Sequence, residues 1–557
     1  MIFRKSLILT AAAGIAILAL GLAGCSASKQ ASSSNGGIVQ MYIGGSGQLT
    51  ENYNPFSPTV LKVVKGGVYE PLFYFNPLAS LGTKPTKLLG ETYKFNSDGT
   101  VVTVTTRSGL KWSDGKAFGP EDVAYTFNTI RTHPEINTSG NAPAGKVTGK
   151  NEVTLTFDHP SFTDGPTILS TDIVPEHIWA TKKNVVTDIN KNPVGTGPLK
   201  FGAFTAQSYL LKKNPEFRDA KNFAPSGVRL YSLSGNQAAT NKFLAGDLDL
   251  AGIAVPNVKK VLKPYPYLHT SPNPSNFNVL NTCSNANLGC TGPQTDPAVR
   301  HAIAAALDRN QINKLSNFGL STAVSPTFVD AKTNGKYITS KFSDSSYPMT
   351  PDIQTADSIL EKDGWTKGSD GIYMKNGQRL SMQVVVSTGY TNYISTLKVM
   401  TQQLKAAGIE IVTSSVANAE NVSKRALGNF QLGIDGMFPG PINDPYYYYN
   451  KYFNSAAVTP VGKSGDPYGN TAKFSDPKVN AAIAKAAATT DPAVKAAAYA
   501  EVQEAIVPAL PYIPILTDHS YVLNNTTHWS GFPTDTNPYS DGGDVGIGIV
   551  LEHLKAK

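Results

Sequence analysis

The stretch GLKWSDGKAFGPEDVAYTF, from Gly109 to Phe127, predicts a tight turn followed by a helix that starts at Pro120. The residues in front of it, VVTVTT, alternate apolar and polar side chains, which is typical of a half-buried strand. Asp114 and Gly115 favour a turn, because Asp bonds its own following backbone and Gly tolerates positive φ. Proline is accepted at the first helical position, where its missing N–H costs nothing. The stretch therefore predicts a strand, a turn and a helix, and turn and cap roles account for its acidic residues.

The N-terminus has the organisation of a secretion signal. A basic segment, MIFRK, precedes the apolar run LILTAAAGIAILAL, which is shorter than the roughly 20 residues of a spanning helix. The sequence LAGC, ending at Cys25, resembles the bacterial lipobox, whose cysteine is lipidated and becomes the mature N-terminus. An ordinary signal peptide with a chance cysteine is the alternative. We expect a signal peptide over 1–24, lipidation of Cys25, and a flexible Ser-rich tether over 25–37.

Composition and charge exclude several classes of protein. The chain has 557 residues, enough beyond the tether for roughly two to four domains. Its hydrophobic content of 41% is typical of a folded globular protein rather than a disordered one. The net charge of +8 comes from scattered lysines, whereas nucleic-acid binders cluster their basic residues. We therefore expect no nucleic-acid partner and only a mild attraction to an anionic cell envelope.

The cysteines and histidines predict a disulfide and no metal site. With Cys25 lipidated, Cys283 and Cys290 remain, and a local disulfide between them fits an oxidising compartment. They lack the companion Cys or His of a zinc site, and the 8 histidines never approach metal-ligand spacing. No cofactor is expected. The motifs GxSxG, HExxH and GxxxxGK[ST] are missing from the sequence, so no pattern calls for catalysis.

The body of the chain changes character near Thr295. Before it lie short strand candidates: VVTVTT, EVTLTF, GPLKFGAF and SYLLKK. After it, the strand RLSMQVVVST, the helix YISTLKVMTQQLKAAG and the strand IEIVTSSV follow one another, which predicts a parallel crossover. A later helix is predicted to open at Asp491 and to stop at Pro508. We infer two α/β lobes, the first with an inserted β-rich portion.

Eight blocks resemble, in the same order, the family 5 extracellular solute-binding proteins of ABC importers, the oligopeptide- and dipeptide-binding group. They are GGVYEPLFYFN, GLKWSDGKAFGPEDVAYTF, DIVPEHIW, NPVGTGPLKF, FLAGDLDLAGI, DPAVRHAIAAALDRNQI, ILEKDGW and INDPYYYY. The resemblance runs nearly end to end and leaves out the lipidated tail, the loop between the two later cysteines, and roughly the last thirty residues. It gives the opening stretch a role as scaffold of an inserted subdomain.

The resemblance implies a two-lobed α/β fold of the periplasmic-binding-protein type (type II, large peptide-binding cluster), with an extra β-rich subdomain inserted in lobe I. The implied parts beyond the tether are lobe I (38–70), the inserted subdomain (71–196), lobe I again (197–276), lobe II (277–519) and a third part of lobe I (520–557). Ligand is held between lobes that close by hinge motion. The implied partners are a peptide or other small solute and the transmembrane subunits of an ABC permease, with the protein itself a monomer.

The charged anchors of some relatives are missing at the matching positions. An Asp that holds a ligand amino terminus corresponds here to Pro441, and an Arg at a helix start corresponds to Ile394 or Ser395. A short zwitterionic peptide would leave its charges poorly matched in a desolvated cleft. We therefore expect a longer peptide whose termini reach water. A non-peptide solute such as an oligosaccharide is the alternative, and a secreted hydrolase is a remote one.

The predicted site combines aromatic and uncharged polar side chains. The sequence INDPYYYYNKYF contains four consecutive tyrosines that cannot all face one core, so we expect some at a surface or cleft; a cluster divided between core and rim is the alternative. Asp444 either accepts a hydrogen bond from ligand or caps the turn. If the chain is extended there, Tyr446 and Tyr447 point to opposite sides, so one of them lines the cleft. The other candidates are Tyr53, Asn54, Asn276, Asn278, Tyr390 and Asn392.

Overall fold

The computed structural model describes residues 36–44, 47–79, 82–137, 140–255, 257–343, 345–456, 458–519, 521–543 and 545–557. The predicted signal peptide, the lipidation site Cys25 and all but the end of the tether lie outside these residues. Within the described part, no helix combines the length and the apolar content that crossing a bilayer requires. Residues Gly36–Lys557 pack as one unit.

The strands, in chain order, are β1 (Gly36–Tyr42), β2 (Phe73–Tyr74), β3 (Thr86–Lys87), β4 (Gly90–Phe95), β5 (Val101–Thr106), β6 (Ala144–Gly149), β7 (Glu152–Thr156), β8 (Leu199–Phe204), β9 (Ser208–Lys213), β10 (Pro225–Tyr231), β11 (Leu250–Ala251), β12 (Leu268–Pro272), β13 (Asn276–Thr282), β14 (Thr366–Lys367), β15 (Tyr373–Lys375), β16 (Gln378–Arg379), β17 (Ser381–Ser387), β18 (Glu410–Val416), β19 (Leu432–Met437), β20 (Tyr512–Asp518), β21 (Tyr521–Asn525), β22 (Trp529–Ser530) and β23 (Lys555–Ala556).

The helices are α1 (Pro120–Thr132), α2 (Gly165–Leu169), α3 (Glu176–Trp179), α4 (Asn236–Leu244), α5 (Val258–Leu262), α6 (Pro297–Ala306), α7 (Arg309–Ser316), α8 (Ala331–Asn334), α9 (Ile353–Lys362), α10 (Thr391–Ala406), α11 (Asn418–Leu427), α12 (Pro445–Phe453), α13 (Pro477–Ala487), α14 (Pro492–Ala509) and α15 (Gly546–His553).

The first large sheet has seven strands in the order β12-β21-β11-β1-β10-β9-β8, and we refer to it and its covering helices as lobe I. Strand β1 lies parallel to β10 and β11, while β9 runs antiparallel to β10. The inward side chains of these strands, among them Val39, Met41 and Leu211, are fully buried in one apolar cluster. The strand predicted from SYLLKK is confirmed as β9, because its alternation places Tyr209 and Leu211 in this core.

The inserted subdomain consists of a four-stranded sheet, β4-β5-β7-β6, covered by α1 and by the segment that contains α2. The predicted strand, turn and helix around the opening stretch are confirmed as β5, a turn and α1. The buried carboxylate of Asp122 accepts hydrogen bonds from the Trp112 indole at 3.1 Å and from the backbone N–H groups of Gly119 and Glu176. Burial raises the pKa of Asp122. This carboxylate ties the turn, α1 and the start of α3 together.

The second large sheet has five strands in the order β18-β17-β19-β13-β20, and we refer to it and its helices as lobe II. The predicted parallel crossover is confirmed, since β17 pairs in parallel with β18 from Ser381↔Glu410 to Ser387↔Val416. Helix α10 connects them and buries Leu397, Met400 and Leu404 against the sheet. Strand β13 lies antiparallel to both β19 and β20, so this sheet is mixed.

One antiparallel two-stranded ribbon passes from lobe I into lobe II. In lobe I it is the pairing of β12 with β21, which ends at Pro272↔Tyr521. In lobe II it continues as the pairing of β13 with β20, which begins at Asn276↔Asp518. Between the two sheets, the Ser275 hydroxyl is hydrogen-bonded to His519 Nδ1 at 2.9 Å. The described chain therefore crosses between the lobes in two adjacent segments.

Two local details of lobe II concern predictions from the sequence. Helix α14 opens after the Asp491 cap as predicted but extends to Ala509, so the prediction that Pro508 ends it is wrong by one residue. A proline in the last turn removes only one backbone hydrogen bond, and the left-handed residue Leu510 ends the helix instead. Cys283 and Cys290 form a disulfide with Cα atoms 5.4 Å apart.

A buried cluster of charges joins three distant parts of the chain in lobe I. The Arg218 guanidinium pairs with Glu70, and it also pairs with Glu552 of α15 at 3.1 Å. Glu70 is 1% exposed, so the cluster is desolvated. Burial raises the pKa of Glu552 to about 7, although Arg218 opposes this shift. These ion pairs hold helix α15 against residues that lie more than 300 positions earlier in the chain.

We predict that the Glu552→Gln substitution weakens the dependence of stability on pH. Between the unfolded pKa of about 4.3 and the folded pKa, the folded state holds a proton that the unfolded state lacks, so rising pH lowers the free energy of unfolding. In the variant, the free energy of unfolding should fall less as the pH rises. At about pH 8 the variant should be more stable than wild type by about 1–2 kcal/mol. Urea unfolding at several pH values measures it. Glu504→Gln, at an exposed position on α14, is the control, and equal slopes in wild type and Glu552→Gln would contradict the prediction.

Candidate functional site between the lobes

The two lobes meet where the carboxyl ends of their central strands face each other. Gly235, the residue before α4 in lobe I, packs so closely on Gly389 of lobe II that an added Cβ would lie 2.8 Å from the Gly389 carbonyl oxygen. Gly235 has a φ of 141°, a conformation that favours glycine. Substrate-sized clefts in α/β proteins form at this edge of the sheet, outside the carboxyl ends of the strands. We call the space around this contact the interlobe site.

Three tyrosines form an aromatic part of the interlobe site. Tyr42 ends β1 in lobe I, and Tyr390 caps the start of α10 in lobe II. Burial, with a smaller effect of the neighbouring Tyr390 hydroxyl, raises the pKa of Tyr42 to about 12. The Tyr390 and Tyr393 rings have centroids 6.2 Å apart. The structure therefore places Tyr390, which is a ligand-site candidate from the sequence, beside Tyr42 of the opposite lobe.

Two asparagines of β13 lie next to the point where the ribbon crosses between the lobes. The side-chain amide of Asn276 donates to the side-chain oxygen of Asn278 at 3.1 Å, and both residues are 4% exposed. Asn278 also bonds the carboxyl of Asp518, whose pKa is raised by burial. The expected position of Asn276 and Asn278 near the crossing between lobes therefore agrees with the register of β13, but their amides are largely occupied by protein groups.

Phe438 places an exposed aromatic ring at the same edge. It directly follows β19, and half of its surface is exposed (50%). A Cβ added to Gly436 would lie 2.8 Å from the Asn276 amide nitrogen and 3.0 Å from the Phe438 ring, so this glycine lets both side chains approach each other. The Phe438 backbone N–H donates to the Tyr452 hydroxyl at 2.9 Å. An exposed ring beside buried amides is suited to stack on a ligand.

The cation nearest to these groups is already paired. Arg425 of α11 forms an ion pair with Asp435 of β19, and the side chain of Arg425 is only 8% exposed. Burial lowers the pKa of Arg425, and its guanidinium lies 5.4 Å from the centre of the Tyr468 ring. Asp435 therefore already compensates this charge. The centre of the interlobe site is therefore aromatic and amide-like rather than charged.

The segment from Asp444 to Tyr449 is a helix, which changes the predicted role of its side chains. Asp444 caps α12 by accepting from the Tyr446 N–H at 2.9 Å. Its second oxygen pairs with Lys495 at 3.0 Å, and the Tyr499 hydroxyl donates to the first. The side chain is fully buried by these partners. Of the two alternatives for Asp444, this geometry matches the cap, and the carboxylate has no oxygen directed at the interlobe site.

The four consecutive tyrosines are all buried, so none lies at an open surface, and Tyr448 lines a cavity between the lobes. Helix α12 packs against α13, α14, β13 and the inserted subdomain, which together bury its tyrosines, while Lys451 is exposed. The expectation that Tyr446 and Tyr447 point to opposite sides of an extended chain is wrong. The Tyr447 hydroxyl donates to the Thr163 carbonyl at 2.7 Å, and Tyr446 bonds the buried Asp164. Both fasten the inserted subdomain to lobe II.

Tyr53 and Asn54 lie inside lobe I and not at the interlobe site. The Asn54 amide donates to the carbonyl oxygens of Val185 and Asp188, both at 2.8 Å, and the residue is fully buried. Tyr53 is also fully buried, with its ring 5.2 Å from that of Phe201. Asn392, by contrast, follows Tyr390 in the first turn of α10, where its side-chain oxygen is buried without a hydrogen-bond partner among the described residues.

A cavity of about 150 Å³ opens beside the tyrosines and the ribbon. Its walls come from the loop after β2, from the start of β13, from the segment before and within α8, and from α12. The Tyr448 hydroxyl closes one side by donating to the Ser275 carbonyl at 3.2 Å. The Asn334 amide closes another by donating to the Asn443 side-chain oxygen at 2.7 Å. This cavity lies beside the interlobe site, since its wall residue Pro439 follows Phe438 directly.

Sequence reasoning missed Phe438, Ser275 and Asp330, which lie at this site or line the cavity beside it. For Phe438 a signal exists, because an aromatic residue between a buried strand and the loop PGP is placed at the sheet edge. The sequence gives no such signal for Asp330, because an aspartate directly in front of a helix is expected to be an ordinary helix cap. Among the described residues, no group of three or more His, Cys, Asp or Glu is arranged to hold a metal ion.

Comparisons with known proteins agree with this geometry. A family model described as bacterial extracellular solute-binding proteins, family 5 Middle, matches residues 84–459, which is more than half of the chain. The chain is 28% identical over 470 residues to Protein XP55 of Streptomyces lividans, covering 81% of this chain and 80% of that protein. It is 25% identical over 493 residues to a putative ABC transporter peptide-binding protein of Brucella ovis, covering 84% and 85% of the two chains.

A solved structure shares the fold. It is a periplasmic oligopeptide-binding protein of Thermotoga maritima, an oligopeptide ABC transporter component crystallised with bound mannohexaose. The TM-score is 0.85 at 24% identity, covering 94% of this chain and 99% of that chain. This similarity confirms the predicted two-lobed α/β fold.

We predict that Asp444→Ala is strongly destabilising. Removing the carboxylate leaves the buried ammonium of Lys495 unpaired and α12 uncapped, which should lower the free energy of unfolding by about 3–5 kcal/mol. Asp476→Ala is the matched control, because Asp476 caps α13 at 2.8 Å without an ion-pair partner among the described residues, and it should cost only about 1 kcal/mol. Urea unfolding measures both. Full stability together with a loss of ligand affinity would show that Asp444 contacts ligand instead.

Proposed function

Because the chain belongs to the bacterial extracellular solute-binding proteins of family 5, a non-enzymatic component of transport, we propose that it captures oligopeptides between its two lobes. It then delivers them to the transmembrane subunits of an ABC permease. The proposal extends to this chain what the name of the Brucella ovis relative says of that protein. The observation that carries it is the interlobe site itself, where Tyr42 of lobe I faces aromatic rings and amides of lobe II.

The chemistry of the site supports a longer peptide over a dipeptide. Its central polar groups are the amides of Asn276 and Asn278, which match uncharged backbone N–H and C=O groups. Its nearest cation, Arg425, is held by Asp435. A dipeptide would bring both of its terminal charges into this space, and removing each charge from water would cost free energy. A longer peptide places only backbone and a few side chains there.

An oligosaccharide is the second candidate, and the exposed Phe438 ring favours it. Half of the Phe438 surface is accessible beside Asn276, which pairs an aromatic face with an amide as sugar-binding sites do. The structurally similar protein from Thermotoga maritima was crystallised with mannohexaose. Both candidates are uncharged along most of their length, so binding measurements rather than charge separate them.

We predict that Tyr390→Ala and Phe438→Ala each weaken ligand binding at least tenfold, which corresponds to about 1.4 kcal/mol. Each loses an aromatic contact at the interlobe site, whereas neither ring is part of a fully buried core. Isothermal titration with alanine-rich pentapeptides and with mannohexaose gives the affinities. Tyr267→Ala, which removes an exposed tyrosine next to β12, should leave them unchanged.

The two candidates are separated by the same titrations. Binding of pentapeptides without mannohexaose supports the peptide proposal, and the reverse result supports the oligosaccharide. Unchanged affinity in both site variants, with the fold intact by circular dichroism, would mean that ligand binds elsewhere in the molecule. New peptide fragments after incubation would instead point to a hydrolase.

We also propose that the protein is held at the membrane by a lipid on Cys25. The basic segment, the apolar run and LAGC support this proposal. Cys25→Ala is predicted to release the protein from membranes or to leave an unprocessed precursor. Membrane fractionation with detection of the chain measures this. A variant that is processed and retained like wild type would contradict the lipid anchor.

A further inference from the structure

The cavity beside the interlobe site carries an unmatched negative charge. Asp330 lines it, and one carboxylate oxygen accepts the backbone N–H of Lys332 at 2.9 Å. Its other oxygen forms no hydrogen bond or ion pair with any described residue. Lys332 contributes its backbone and not its ammonium, and the ammonium of Lys336 lies 5.0 Å from the centre of the Tyr337 ring. Asp330 is half-buried and keeps accessible surface.

The other walls of the cavity do not compensate this charge. No lysine or arginine is among the lining residues, all of which are described. Apolar groups, including Pro77, Leu78, Phe328 and Pro439, cover much of the surface. In such surroundings an opposite charge interacts with a carboxylate more strongly than it does in water. The apolar walls also suit the methylene stem of a long basic side chain, which packs while its charged end is paired.

The size of the cavity limits what enters it. Whole small-molecule sites have volumes of roughly 300–1,000 Å³, so a cavity of about 150 Å³ accepts one group of a larger ligand. The walls come from both sides of the ribbon, since Leu78 follows β2 whereas Phe277 and Tyr448 belong to lobe II. A group held here is therefore enclosed only while the two sides are together.

We infer that this cavity receives a positively charged group of the solute, an ammonium or a guanidinium, whose charge Asp330 matches. The inference rests on the proposed capture of oligopeptides and deepens it, because it assigns a charge preference to the cavity beside the interlobe site. Two parts of a peptide carry such a group: its free amino terminus and a Lys or Arg side chain.

The test compares Asp330→Asn with wild type in titrations of four pentapeptides. One pair has neutral side chains and either a free or an acetylated amino terminus. The other pair is acetylated and carries either a central Lys or a central Gln. Asparagine keeps the helix cap and the shape of Asp330 while removing its charge. Asp476→Asn is the matched control, because Asp476 caps α13 through the same bond to the residue two positions later, at 2.8 Å, away from the cavity.

Wild type should bind the cationic member of at least one pair about tenfold more tightly than its neutral partner. The pair that shows this preference identifies the source of the charge, amino terminus or side chain. Asp330→Asn should reduce the preference to less than about twofold without weakening the neutral partner, and Asp476→Asn should keep it. A preference that survives in Asp330→Asn, or that wild type lacks while binding the peptides, overturns the inference and leaves the proposed function standing. If none of the four peptides binds, the proposed capture of oligopeptides fails and the inference fails with it.

Discussion

The pairing of two antiparallel strands that run through both sheets is the constraint on which the rest of the structure depends. Strands β12 and β21 complete the edge of one sheet, and their continuations β13 and β20 form the side of the other. Since nearly every buried backbone N–H and C=O must be bonded, the chain leaves these ladders only over the few residues around Ser275 and His519. The described backbone passes from one lobe to the other there and nowhere else, which makes this the place where their relative orientation can change.

The ribbon also determines the chemistry at the centre of the site. Asn276, Asn278 and Asp518 lie on the ribbon itself, and these polar groups nearest the crossing bond one another. Charge is kept away from this centre, because Arg425 is paired with Asp435 and burial raises the pKa of Asp518. Under the proposed function, this centre contacts the uncharged length of the solute, and the inferred charge preference belongs to Asp330 in the cavity beside it.

The acidic residues and tyrosines that stand out in the opening stretch and in the tyrosine segment of the sequence serve mainly to hold the inserted subdomain in place. Asp122 joins three backbone segments within it, and Tyr446 and Tyr447 fasten it to lobe II through Asp164 and Thr163. Asp444 stabilises the helix that carries these tyrosines. The subdomain is thus positioned against lobe II by buried hydrogen bonds that do not involve ligand. Fixed in this way, its loop after β2 supplies part of the cavity wall.

Sequence alone determined the regular elements and the fold class. Alternation predicted β5 and β9, and proline with its flanking caps predicted the starts of α1 and α14, because these signals depend on neighbours within about one turn or one strand. Family resemblance supplied the two lobes. It could not show that the Asn54 amide bonds the backbone of Val185 and Asp188 or that Tyr446 and Tyr447 lie on a helix that buries both rings. Those outcomes depend on packing against segments more than 100 positions away, which no local pattern records. The interlobe site was decided by tertiary structure for the same reason: Tyr42, Phe438 and Asp330 are ordinary residues until the ribbon brings their elements together.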